Sequence, residues 1–165
     1  MNISTIKTAL FNWANSNSSG MTVVWSDQAA PRPTRPYVLL KLSGAYHVAG
    51  NDELRPNQTT AIYDVVGHRR MILKVQVGGD SIQQKAHDLN FSLGKPSVLS
   101  TLRASGISIS SPGDMINLTE YLETKFEERF AFDVELLAVA TSTDNNGYFD
   151  KTEISGLGET QIIEE

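Results

Sequence analysis

Histidine is the side chain best suited to moving protons near neutral pH, and this sequence has three, His47, His68 and His87. They fall on a predicted strand, a predicted turn and a predicted helix. No HExxH-like pairing brings two of them onto one metal. Serine is plentiful, but no Gly-x-Ser-x-Gly elbow presents it as a nucleophile. Gly78-Gly79-Asp80 precedes a predicted helix, as a phosphate-binding turn would. It lacks the P-loop lysine and the three-glycine spacing, so it reads as a helix start. The best metal candidate surrounds Gly147. With that glycine sixth in a calcium loop, Ser142 stands first, Asp144 third, Asn146 fifth, Asp150 ninth and Glu153 twelfth. Serine at the first place removes a charge, and the flanks read as strands where an EF-hand needs helices, so a turn explains these residues better. Cysteine is absent, which excludes disulfides, a thiolate nucleophile and cysteine-ligated zinc or iron–sulfur centres. No catalytic, cofactor-binding or metal-binding residue is assigned.

The elements that would position such residues come from periodicity. Ile3, Ile6, Leu10 and Phe11 recur at helical spacing, so residues 3–15 read as an amphipathic helix, ended by Asn-Ser-Asn-Ser-Ser-Gly at 15–20. Thr22–Trp25 is a short strand. Pro31, Pro33 and Pro36 keep residues 27–36 irregular, and Tyr37–Val48 is a strand. Residues 49–57 are polar and read as a mobile loop near 49–58. Thr59–Val66 and Arg70–Val77 read as a hairpin turning at Gly67-His68. A helix over 82–93, capped by Asp80 or Ser81, and a second over 97–104 follow.

Ile107 and Ile109 mark a brief strand before a turn at Pro112-Gly113. The four-residue spacing of Leu118, Leu122, Phe126 and Phe130 predicts a short helix near 118–124. The alternation of Phe130, Phe132, Val134 and Leu136 predicts a long strand running to about 140. Asp144-Asn-Asn-Gly147 is a turn, Tyr148–Ile154 a returning strand, and a short acidic tail begins at about 156. The expected architecture is α+β: a single domain over 1–165, with a largely antiparallel, mixed sheet flanked by two or three helices.

Charge is unevenly placed. The net charge is −5 over 165 residues. Residues 1–31 are neutral, 32–74 carry +4, 75–149 carry −5 and 150–165 carry −4. Such a balance gives no general attraction to nucleic acid or acidic membranes, but opposite signs in two regions suit head-to-tail self-association. Arg69, Arg70 and Lys74 are the nearest thing to a nucleic-acid patch and come with no recognition motif. Arg32-Pro-Thr-Arg-Pro36 has the spacing of an SH3-type ligand, though a stiff loop entering a strand explains it with fewer assumptions. The first twenty residues have one lysine and no apolar run of signal-peptide length, and no stretch approaches a membrane span, so a cytoplasmic product is expected. The sequons at Asn57 and Asn117 then carry no meaning.

The segment VVWSDQAAPRPTRPYVLLKL, Val23 to Leu42, resembles the phage neck or tail-terminator family. That family has a Trp-x-Asp-Gln-x-x-Pro-Arg-Pro-x-x-Pro-Tyr block, represented here by Trp25, Asp27, Gln28, Pro31, Arg32, Pro33, Pro36 and Tyr37. The Val-Gln-Val strand at 75–77, the glycine-led helix after it, and Glu127-Glu128-Arg129 ahead of Phe132-Asp133-Val134 are similar to the family's order. The likeness spans roughly residues 20–140.

The resemblance implies a structural virion protein. It would form a ring, usually a hexamer, at the head-proximal end of a tail tube, stopping tube growth and joining tail to neck while DNA passes through the hole. Implied partners are its own copies, the tube, the sheath if the tail contracts, and head–tail connector proteins. A connector or completion protein of the neck is the alternative within that machinery; a small hydrolase or calcium-binding protein is the alternative from another class. Trp25 and Tyr37 are expected to bury large apolar areas, and Arg32 to pair with a carboxylate across a subunit boundary.

Overall fold

The computed structural model describes residues 2–28, 31, 33–57, 62–122, 125–144, 151–156 and 159–164. Helix α1 (Ile3–Asn17) begins where Asn2 Oδ1 accepts from the backbone N–H groups of Ser4 and Thr5, 3.0 and 3.3 Å away. It buries Ile6, Leu10, Trp13 and Ala14. The chain leaves it through Ser19 and Gly20, both at positive φ. Strand β1 (Thr22–Trp25) lies parallel to the start of β2 (Tyr37–Asn57), with Thr22 beside Tyr37 and Trp25 beside Leu40. A parallel pair needs a connection that runs back along its own strand. Residues 26–36 supply it, returning over about 13 Å. The parallel pairing therefore places the proline-rich block in the return connection from β1 to β2.

β2 neighbours β3 (Ile62–Gly79), β3 neighbours β7 (Lys125–Asp144), and β7 neighbours β4 (Ile107–Pro112), with β5 (Ile116–Asn117) and β6 (Glu120–Leu122) also pairing with β7. The last three pairings are antiparallel, so the seven-stranded sheet is mixed. With α2 (Gln83–Ser92) and α3 (Pro96–Ala104) the architecture is α+β, as expected. Val38, Leu40, Met71, Leu73, Val75, Val77, Phe132, Val134 and Leu136 alternate along their strands and join Leu10, Leu89 and Leu102 of the helices in one core. The intervening positions, among them Lys41, Lys74, Gln76 and Asp133, are exposed. The helices therefore cover one face of the sheet and leave the other open.

The core is anchored by a buried polar pair. Trp13 Nε1 donates to Ser92 Oγ at 2.9 Å, and that hydroxyl donates to the Leu89 carbonyl at 2.6 Å. Ser92→Ala leaves the indole N–H unpaired inside the core. The expected loss is about 1–3 kcal/mol, read as a lower denaturant midpoint followed by tryptophan fluorescence.

Four sequence expectations are corrected. Gly67-His68 is not a turn: both residues continue β3, because glycine permits a turn without compelling one and backbone pairing with neighbouring strands prevails. Residues 49–57 are not a loop but the end of β2, and the exposed side chains of residues 50–56 report nothing of the backbone ladder that holds them. No helix forms at 118–122. Leu118 and Phe126 are exposed, so their four-residue spacing marks no buried stripe. Thr119 N–H instead donates to Asn117 Oδ1 at 2.9 Å, turning the chain from β5 into β6. Finally, Glu159–Glu164 is strand β9, paired antiparallel with β8 (Lys151–Gly156) in a separate two-stranded sheet, where a tail was expected.

The expected turn at 144–147 lies outside the described residues beyond Asp144, as do 148–150 of the returning strand. The contacts divide the chain into two compact units: Met1–Asn51 with Gly67–Ala140, and Asp52–Val66 with Thr141–Glu165.

Candidate functional site

Among the described residues the open face of the sheet carries one buried charge. Glu127, on β7, is 1% exposed, and it binds the end of the proline-rich connection. Arg35 Nη2 donates to Glu127 Oε2 at 2.8 Å, and Tyr37 Oη donates to Oε1 at 2.9 Å. Arg129 Nη2, two residues along the same strand, lies 3.5 Å from Oε2. Both carboxylate oxygens are thus engaged, each by a donor from the block, with a second guanidinium beside one of them. The side chains of Arg35 and Arg129 remain 35% and 32% exposed, so the cations keep contact with water while the anion does not. A buried carboxylate is tolerated only when paired and hydrogen-bonded, and these donors meet that requirement.

Two neighbours complete the clamp. Tyr37 lies so close over Gly78 that a Cβ there would sit 2.7 Å from the ring's Cζ and Oη. Pro36 packs on Gly79 in the same way, 2.8 Å from where its Cβ would be. The Gly78-Gly79 pair therefore makes room for Pro36 and Tyr37. Next along β7, Glu128 Oε2 accepts the Ile82 N–H at 3.0 Å, at the N-cap of α2. Asp80 and Ser81, expected to cap this helix, do not: a carboxylate from a distant strand does so. Glu127-Glu128-Arg129 thus ties together the connection, the glycine pair and the start of α2. The sequence pattern marks these three residues, but their partners become legible only with the sheet order.

At the other end of the connection Lys7 of α1 bridges Asp27 and Trp25. Its Nζ is 3.0 Å from Asp27 Oδ2 and 5.0 Å from the centre of the Trp25 ring. The Lys7 hydrogen bond, helped by Asp27's own backbone, holds the Asp27 carboxyl below its ordinary value. A depressed carboxylate stabilises the fold above its unfolded pKa, and that contribution is lost as pH falls through the folded value. Both side chains are substantially exposed, so the effect is a few tenths of a kcal/mol. Lys7→Ala is expected to move the Asp27 titration up toward the ordinary aspartate value, as followed by carboxyl NMR.

Trp25 and Tyr37 are buried, as expected, at 8% and 2% exposure. Both help line a cavity of about 460 Å³, with Pro31, Pro33, Leu39 and Arg129 among its other walls. Arg32, the residue expected to pair with a carboxylate, lies outside the described residues. The pairing that is seen belongs to Arg35, and it lies within the chain.

The residues considered for chemistry are not brought together. His68 is exposed on β3 and His87 exposed on α2, while His47 lies in β2 with its side chain outside the described residues. Of the calcium-loop positions, Ser142 and Asp144 lie exposed on β7, Glu153 lies in β8, and Asn146 and Asp150 are outside the described residues. Their flanks are strands, so the helical frame of an EF-hand is not built. Among the described residues no three His, Asp or Glu side chains are grouped to hold a metal ion. Also among the described residues, no helix is long and apolar enough to cross a membrane.

The arrangement is a structural clamp: a buried acid fixing a proline-rich connection onto an open sheet face. Set against known proteins, residues 4–164 match a family model described as phage neck terminator protein. No curated protein matches the chain.

Proposed function

The chain belongs to the phage neck terminator family, and from that premise we propose that it closes into a ring, a hexamer, on the head-proximal end of a tail tube. Membership makes it a structural component of the phage neck, within the virion, that associates with other phage head and tail proteins; the family is not a class of enzymes. The proposal adds the ring, the termination of tube growth and the docking surface for connector proteins, with synthesis in the host cytoplasm. The whole chain is read as one terminator subunit.

One observation carries the ring. One face of the sheet lies open and bears exposed bases, Lys41, Arg70 and Lys74, while the sequence gathers its acids after residue 74. A ring requires a heterologous interface, in which two different surfaces of one subunit meet on successive copies. Opposite signs on those surfaces favour the right encounter and disfavour like meeting like. The hole would face DNA with acidic residues, since attraction at every phosphate would hold the DNA in place. The contact with DNA would carry no sequence preference.

Negative-stain microscopy of the purified protein, alone and mixed with tail tubes, tests the proposal. Rings of uniform order that sit at one end of the tubes are expected. A monomer that ignores tube ends would overturn it.

A further inference from the structure

We propose that the open sheet face of one copy receives the acidic C-terminal stretch of the next, residues 150–165. The inference rests on the ring reading and says which segment makes the contact. Its receiving surface is defined by Lys41 on β2, Ile72 and Lys74 on β3, and Leu137 on β7, with Arg70 and Arg129 beside them. Arg70 and Lys74 are half-exposed and meet carboxylates only at the outer limit of ion pairing, 4.0 Å to Glu135 and 3.9 Å to Asp133. Lys41, Arg70, Lys74 and Arg129 stand here among the described residues, with Asp133 and Glu135 the carboxylates that approach Lys74 and Arg70. Half-buried Leu39, Ile72 and Leu137 lie among those charges. The surface is therefore both cationic and partly apolar.

The proposed occupant has the complementary make-up. Residues 150–165 carry five acids and one base, and also Ile154, Ile162 and Ile163. β8 and β9 form a separate two-stranded sheet. A two-stranded sheet gains stability when a further surface packs on it. An acidic, isoleucine-bearing pair of strands therefore fits a basic, partly apolar sheet face in charge and in polarity. A second copy of this chain provides the segment at the same concentration as the face, and donor and acceptor surfaces on every subunit are what a ring uses.

The absence of cysteine makes the contact directly testable, because only introduced thiols can cross-link. Lys74→Cys and Glu153→Cys chains, differing in mass by a tag, are assembled together and oxidised. A control assembly pairs Glu153→Cys with Asp88→Cys, which places the thiol at an exposed position of α2. Native mass spectrometry reports whether each mixture assembles. The expected result is a mixed-mass disulfide dimer from the Lys74/Glu153 pair, well above the control. Assembly without that excess overturns the docking and leaves the ring reading standing; no assembly overturns both.

A charge exchange provides a second measurement. Arg70→Glu with Lys74→Glu should raise the concentration needed for assembly about tenfold or more. Adding Glu153→Lys and Glu159→Lys should restore much of the loss. Failure of the second pair to restore assembly also counts against the docking.

Discussion

Glu127→Ala is expected to lower the free energy of unfolding by about 3 kcal/mol, because it removes a buried, hydrogen-bonded charge. The carboxylate is buried, and it is the common acceptor for Arg35 at 2.8 Å and Tyr37 at 2.9 Å. Its removal takes the Glu127 acceptor from the Tyr37 hydroxyl and leaves Arg35 and Arg129 without the anion that both approach. Both guanidiniums are about one third exposed, so water offsets part of the loss and keeps it toward the lower end for a broken buried pair.

Arg35→Ala is the informative companion, because it takes the guanidinium at 2.8 Å from the buried carboxylate. The double variant should then cost less than the two single losses added together, since both changes break the same ion pair. Equilibrium unfolding of the four proteins in urea gives these values. A Glu127→Ala loss below about 1 kcal/mol would mean that the clamp resembles an ordinary exposed ion pair. Assembly offers a separate readout: if the connection helps form the interface between copies, Glu127→Ala should impair ring formation even where the monomer remains folded.

The clamp also shows what was legible in the sequence and what was not. Trp25 and Tyr37 could be chosen as buried anchors because two aromatics bracketing three prolines have few other uses. The alternation at Leu73, Val75 and Val77 reports its own inner face, since period two is a local signal. α1, α2 and α3 are likewise local, set by apolar spacing and by breakers at their ends.

Elements decided by distant partners were misread. β3 passes through Gly67 because pairing with its neighbours, which no local pattern records, outweighs a turn-prone dipeptide. The cap of α2 comes from Glu128, 46 residues away, and the choice of Arg35 for Glu127 depends on β2, β3 and β7 lying side by side. Even the place of the proline block is topological. It becomes clear only once β1 and β2 are seen to run parallel, which obliges the chain to double back.

Gly78 and Gly79 give the second large effect, and here packing and backbone geometry act at adjacent residues. At Gly78 an added methyl would lie 2.7 Å from the Tyr37 ring, far inside van der Waals contact. The ring is buried and hydrogen-bonded to Glu127, so it cannot swing aside without breaking that bond. Gly78→Ala should therefore cost about 1–3 kcal/mol by overpacking. Gly79→Ala meets Pro36 instead, 2.8 Å from its Cβ and 2.9 Å from its Cα, and the backbone here has φ +151°, which residues with a side chain rarely adopt. Part of that obstacle is main chain, and the strained φ adds to it, so the loss should exceed that at Gly78, at about 3 kcal/mol.

The two sites can be separated by a compensating change. Tyr37→Leu removes the ring that opposes Gly78, so Gly78→Ala in that background should cost much less than in the parent. Gly79→Ala should cost nearly the same in either background, because its obstacle is Pro36 and its own φ. Denaturant midpoints of the six proteins decide this. A Gly78→Ala loss that is unchanged by Tyr37→Leu would show that the glycine is needed for its backbone and not to admit the tyrosine. The clamp would then rest on Glu127 alone.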